Sequence, residues 1–146
     1  PIGLINKLGG QIQKKPDLFS QEKDRIELMA MKTIMDIERG LGYEPMDVSR
    51  EKKGYDIESR IIGTGKLRFI EVKGRVEGAD TVTISKREII TGLNKPEDFI
   101  LALVMVNGDN ALPYYARDIF EREPGFAEVS VNYSLKDLLT RASDPS

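Results

Sequence analysis

The chain has 146 residues, enough for one compact domain, and its 40% hydrophobic, 32% charged composition is that of an ordinary folded protein. It contains no cysteine and no histidine. That excludes disulfides, thiolate metal sites, histidine triads and histidine-ligated zinc, and it leaves only oxygen-held metals such as magnesium, manganese or calcium.

Residues 1–19, with a Gly9-Gly10 pair and mixed polar character, read as a linker or weakly ordered lead-in, and a single domain is expected over 20–146. A chain beginning with Pro1 is expected to be a piece of a longer protein, although a processed or tag-cleaved terminus looks the same. From Ser20 to Arg39 the pattern is helical. Ser20 caps, and Ile26, Ala30, Ile34, Ile37 and Leu41 form an apolar stripe that Gly40 and Gly42 end. A short strand follows around Tyr43 to Val48. GYDIESRI and LRFIEVK then make a hairpin, 55–61 with 67–73, about a Gly63-Thr64-Gly65 turn. Thr81 to Ser85 is a third strand. Ser85 with Glu88 forms a capping box that opens a helix to about Leu93. FILALVMV, Phe99 to Val106, is apolar without alternation, as in a strand buried on both faces. A strand near Tyr114 to Ala116 and a helix from Ser134 to Arg141 complete an α/β domain with a mixed β-sheet flanked by helices.

Charge is unevenly spread. Net charge is −2, yet residues 50–95 hold eleven Lys and Arg against seven Asp and Glu. A basic section can meet phosphates, because binding follows local potential; on charge alone a mixed, solvated surface explains it equally simply. No stretch is apolar enough to span a membrane and no signal-peptide pattern is visible, so an intracellular protein without membrane contact is expected.

Glu71 and Lys73 are two apart on a strand and project from one face. With a two-residue Gly63-Thr64 turn, Asp56 on the preceding strand stands directly opposite Glu71. With the turn at Thr64-Gly65 it faces Lys73 instead. Either register brings the three together. Facing carboxylates repel unless something cationic lies between them, and a divalent metal beside Lys73 is one solution. A Glu-x-Lys pair alone is more often solvent-facing decoration; the facing Asp is what raises it above that. Leu67 and Phe69 continue the acidic face, so that face is expected to be partly covered.

Asp56, fourteen residues, then Glu71-Val72-Lys73 resembles the PD-(D/E)xK signature of the restriction-endonuclease-like superfamily. MDVSREKKGYDIES, LRFIEVKGR and LALVMV are similar to a narrower group, the helicase-associated family related to the C-terminal domain of the plant protein NO VEIN, from about Ile26 to Val106. The resemblance implies a three-layer core in which Asp56, Glu71 and the Val72 carbonyl hold Mg²⁺ or Mn²⁺. It implies that Lys73 orients the attacking water or stabilises phosphate charge. The superfamily often adds a helix glutamate; Glu27 is the candidate and Glu38 the competitor, eleven residues apart on one helix face. The sequence departs from the superfamily signature at Tyr55, where proline is usual; after the motif the narrower group often has a Thr and an Asn–Glu pair where this chain has Ser85, Arg87 and Glu88.

Lys52, Lys53 and Arg75, with the more speculative Lys86 and Arg87, are candidates for touching phosphate, which positions a nucleic acid without reading it. Loop solubility accounts for Lys52 and Lys53 equally well. Tyr114 and Tyr115 fit a strand core better than base stacking. The expected function is a metal-dependent nuclease domain acting on DNA, appended to a helicase-like or defence protein. The alternative is a nucleic-acid-binding or interaction module that keeps the fold without turnover.

Overall fold

The computed structural model describes residues 2–146, with side chains from residue 18 onward. Its elements in chain order are α1 (Ile2–Gly40), β1 (Glu44–Asp47), β2 (Ile57–Arg60), β3 (Leu67–Val76), β4 (Thr81–Ser85), α2 (Lys86–Asn94), β5 (Phe99–Asn107), β6 (Asn110–Ala116), β7 (Ser130–Ser134) and α3 (Leu135–Thr140). Five strands form a mixed sheet in the order β1-β2-β3-β5-β6. Its β3–β5 pair is parallel and the other three are antiparallel. The β3-to-β5 connection carries β4 and α2, the long crossover that a parallel pair requires.

β5 is the centre of the molecule. Its apolar run is buried on both faces, as its lack of alternation implies. Ile100, Ala102, Val104 and Val106 pack with Ile26, Ala30 and Ile34 of α1. Leu101, Leu103 and Met105 point the other way, against Val82 and Ile84 of β4, Ile89 of α2, and Leu135 and Leu138 of α3. Every second residue along a strand belongs to the same face, so one strand serves two cores.

Several boundaries differ from the sequence reading. α1 begins at Ile2, not at a Ser20 cap, so residues read as a lead-in are helical. Its buried stripe runs Ile26, Ala30, Ile34, Glu38, while Ile37 is half-buried and Leu41 exposed. Thr81–Ser85 is a strand, but it pairs only with β7 in a separate two-stranded sheet. β7 itself goes unseen in the sequence, because Ser-Val-Asn-Tyr-Ser carries too few apolar residues to signal a strand. β6 is longer than the Tyr114–Ala116 core of it. α2 opens on the expected capping box, and Ser134 caps α3 by accepting from the Asp137 N–H. Among the described residues no helix is long and apolar enough to cross a membrane.

Candidate functional site

The site lies where β2 leaves β3. Ile57 faces Ile70 and Arg60 faces Leu67, the register in which Asp56 comes beside Glu71. The connecting loop has four residues, not two: the Ile61 N–H donates to the Lys66 carbonyl at 2.9 Å, closing Ile62 to Gly65. Both loops centre on Gly63-Thr64, so the register survives the change. Beyond Ile70 the β2-side edge of β3 has no strand partner. Asp56 occupies it, its Oδ2 accepting the Val72 N–H at 2.9 Å. N–H and C=O of one strand residue point to the same side, so the Val72 carbonyl lies on this open edge too.

Glu71 and Lys73 project from the face that Phe69 shares, and that face is covered: Glu71 is only 3% exposed. Tyr55, at the position where the signature usually has proline, packs edge-on against Phe69, ring centroids 4.9 Å apart. Lys73 Nζ is 3.2 Å from Glu71 Oε2 and 3.0 Å from Glu88 Oε1. Glu88 is the site residue the sequence reading missed. Its capping role is present, with Oε1 accepting the Ser85 N–H at 2.8 Å. That role explains the residue locally, and its alignment with the glutamate of the narrower group's Asn–Glu pair is the one signal of a second.

Three carboxyl groups thus share one lysine. Burial, then the hydrogen bond with Glu88 and the charges of Asp56 and Glu88, push the Glu71 carboxyl well above the usual range. Burial also raises Asp56, against hydrogen bonds from Glu71 and the Val72 N–H. For Glu88 burial is outweighed by the hydrogen bond with Glu71 and by Lys73, and it ends below its ordinary value. Burial works against the Lys73 ammonium, but the Glu71 and Glu88 carboxylates more than compensate and hold it charged. Burial and the neighbouring Asp56 and Glu88 thus favour the protonated form of Glu71, while Lys73 opposes it.

A cleft of about 640 Å³ opens over this cluster. Glu27 of α1 lines it, with Asp24, Asp47 and Arg50, opposite Asp56, Glu71, Lys73 and Glu88. Glu38 does not. It is fully buried, bound by Arg68 Nε and Nη2 at 2.8 and 3.0 Å and by the Tyr115 hydroxyl at 2.7 Å. Sharing a helix face is not sharing surroundings: eleven residues carry the chain roughly 16 Å along the axis, from the open cleft to beneath the sheet. Tyr115 is core, as expected.

The basic candidates divide. Lys52 and Arg87 line a second cleft that shares Asp56, Glu71 and Glu88 with the first. Arg87 Nη1 donates to the Lys52 carbonyl at 2.9 Å. Lys53 is turned to Glu58 at 3.0 Å and Glu51 at 3.5 Å. Arg75 is exposed and continues the Glu71–Lys73 row of β3, and Lys86 lies against the Phe126 ring.

A family model described as the C-terminal domain of protein NO VEIN matches residues 26–116, more than half of the chain and all of the site. No curated protein matches the chain, and no solved structure does.

Proposed function

The chain belongs to the family of the C-terminal domain of protein NO VEIN, and from that premise we propose that it is a metal-dependent nuclease domain of the PD-(D/E)xK type. It hydrolyses phosphodiester bonds in DNA and works as part of a helicase-like or defence protein. One observation carries the reading: Asp56, Glu71 and Lys73 meet at an unpaired strand edge inside a cleft, with Glu88 completing the cluster.

The donor set fits a small, hard cation. Everything available is oxygen: the Asp56 and Glu71 carboxylates and the Val72 carbonyl, the ligands a magnesium or manganese ion prefers. Among the described residues no three carboxylates close around one point as a ready-made cage. An ion here would therefore need waters and substrate phosphate for its remaining ligands, as Mg²⁺ sites commonly do. When bound, the ion lowers the pKa of a coordinated water and offsets charge on the phosphate.

The residues supply the rest. Asp56 is fixed by the Val72 N–H and lines the cleft. Lys73, held charged by Glu71 and Glu88, offers a donor to the attacking water or to a non-bridging phosphate oxygen. Glu27 faces the cluster from α1, where a carboxylate holds an outer water. Lys52 and Arg87 extend the positive rim along which a strand backbone runs.

Supercoiled plasmid incubated with Mn²⁺ tests the proposal. Wild-type protein is expected to nick it, chelator to stop the reaction, and Asp56→Asn to be inert while retaining the Val72 hydrogen bond. Equal nicking by both proteins would remove the assignment.

A further inference from the structure

Phe126 is completely exposed, and Val129, three residues on, is 81% exposed. Neither is a loose surface residue. The Glu128 N–H donates to the Gly125 carbonyl at 2.9 Å, and the Glu128 carboxylate accepts the Gly125 N–H at 2.7 Å. A self-closed turn therefore holds the aromatic ring at its tip. The loop is tied to the site through the Lys86 N–H, which donates to the Val129 carbonyl at 2.9 Å at the entrance of α2. Val129 in turn lines the cleft that contains Lys52, Arg87, Asp56, Glu71 and Glu88.

Charge gives this loop two sides. Glu121, Glu123, Glu128 and Asp137 line a separate cleft against Arg122 and Arg141, a lining with an acidic excess that is less favourable to phosphate. Toward the carboxylate cluster the neighbours are Lys86, Arg87 and Lys52, with Lys86 Nζ 5.8 Å from the Phe126 ring centroid. Arg87, Lys52 and Lys86 thus supply cations between the carboxylate cluster and the ring.

We propose that this cleft takes its nucleic acid as a strand carrying an unpaired base, which stacks on Phe126 while Lys86, Arg87 and Lys52 hold the backbone. The inference rests on the nuclease reading for its substrate class and adds the strandedness. A paired base has both faces covered by its neighbours in the duplex; only an unpaired one offers a π face to a protruding ring. Stacking of this kind tolerates any sequence and adds to a salt-dependent backbone term. A cation beside the ring strengthens the platform without occupying both of its faces.

The test uses the whole chain with Ca²⁺ as the divalent ion and three labelled probes: a 20-mer oligothymidine, an abasic strand of equal charge, and a blunt duplex. Wild type is expected to bind the oligothymidine about tenfold tighter than the other two, and Phe126→Ala to lose that difference. The side chain is fully exposed, so its removal leaves the core untouched. Phe126→Trp keeps the preference, and as the chain has no tryptophan, its emission reports directly, quenched by oligothymidine and not by the abasic strand. Equal binding of all three probes, or unchanged binding by Phe126→Ala, overturns the inference. Parallel Mn²⁺ cleavage assays separate the two claims. Cleavage of single-stranded DNA indifferent to Phe126 leaves the nuclease and removes the stacking site. Phe126-dependent binding without any cleavage does the opposite.

Discussion

Lys73 Nζ lies 3.0 Å from the same Glu88 oxygen that accepts the Ser85 N–H and so caps α2. One atom joins the start of a helix to the lysine of the site. The helix cap is a backbone requirement, and it fixes the carboxylate in one rotamer. Lys73 is therefore positioned by a group that cannot turn away.

Glutamine serves a capping box as well as glutamate does, so Glu88→Gln keeps the helix start while removing the charge facing Lys73. Lys73, largely buried, loses its nearest carboxylate, so some thermal stability should be lost, and Mn²⁺-dependent nicking should fall roughly 10–100-fold as the amine loses its position. Glu88→Ala should show the same loss of activity plus about 0.3–1.5 kcal/mol of destabilisation from the missing cap. Melting curves and nicking rates of the two variants decide it. If Glu88→Gln nicks at the wild-type rate, the carboxylate is only a cap.

Glu71 makes stability depend on pH. Its folded carboxyl binds a proton more tightly than the unfolded one, whose value is near 4.5. The stabilisation from that proton is complete below the unfolded value and is lost as pH rises through the folded one. Glu71→Gln carries a permanent neutral group. Its melting temperature should exceed that of the wild type at about pH 8, with the gain shrinking toward about pH 4. A gain that grows on acidification would mean Glu71 is anionic in the fold.

The two helix glutamates should part company in the same experiments. Glu38→Ala leaves Arg68 buried without its bidentate partner, a change worth about 3–5 kcal/mol, and it strands the Tyr115 hydroxyl as well. Glu27 is exposed, its only ion pair among the described residues a 4.0 Å contact with Lys23, so Glu27→Ala should stay within about 0.5 kcal/mol of wild type. Under the nuclease reading it should nonetheless slow nicking. Urea unfolding together with plasmid assays tests both halves.

This contrast also marks what the sequence could and could not convey. The register that sets Asp56 beside Glu71 was legible, because strand alternation and a loop centred on Gly63-Thr64 leave little freedom. So was β5, whose unbroken apolar run has no other use. Glu38 was not. At the sequence level it is a charged residue near a helix end, and only the arrival of Arg68 and Tyr115, thirty and seventy-seven residues away, makes it a core residue. Glu88 was hidden by a sufficient local explanation. The second sheet was hidden because β7 owes its existence to pairing with β4, not to its own pattern.

Gly74 tests how α1 meets the sheet. A Cβ there would stand 2.9 Å from the Ala30 Cβ and 3.0 Å from the Ile26 carbonyl oxygen. Neither is a flexible side-chain end. Gly74→Ala should therefore push the helix off β3, costing about 1–3 kcal/mol. Gly40→Ala, with open space around it, should be neutral or stabilising by up to about 1 kcal/mol. Urea midpoints compared under one buffer suffice. A neutral Gly74→Ala would show that α1 is free to slide on the sheet.

The last prediction joins the proton on Glu71 to the proposed ion. Carboxylates bind Mg²⁺ or Mn²⁺ only when deprotonated, and burial with the neighbouring Asp56 and Glu88 tightens the hold of the Glu71 carboxyl on its proton in the free protein. An ion coordinated by Asp56 and Glu71 supplies the positive charge that this proton otherwise provides. Binding must then release the proton, and affinity must rise with pH until the free protein has lost it unaided. Titration of Mn²⁺ by calorimetry in two buffers of different ionisation enthalpy counts the protons directly. Wild type should release protons on binding, and fewer at the higher of two pH values. Glu71→Gln should bind weakly and release none. Lys73→Ala should still bind the ion, because it removes a cation and no ligand, yet fail to nick plasmid. Binding without proton release at either pH would place the ion somewhere other than between Asp56 and Glu71.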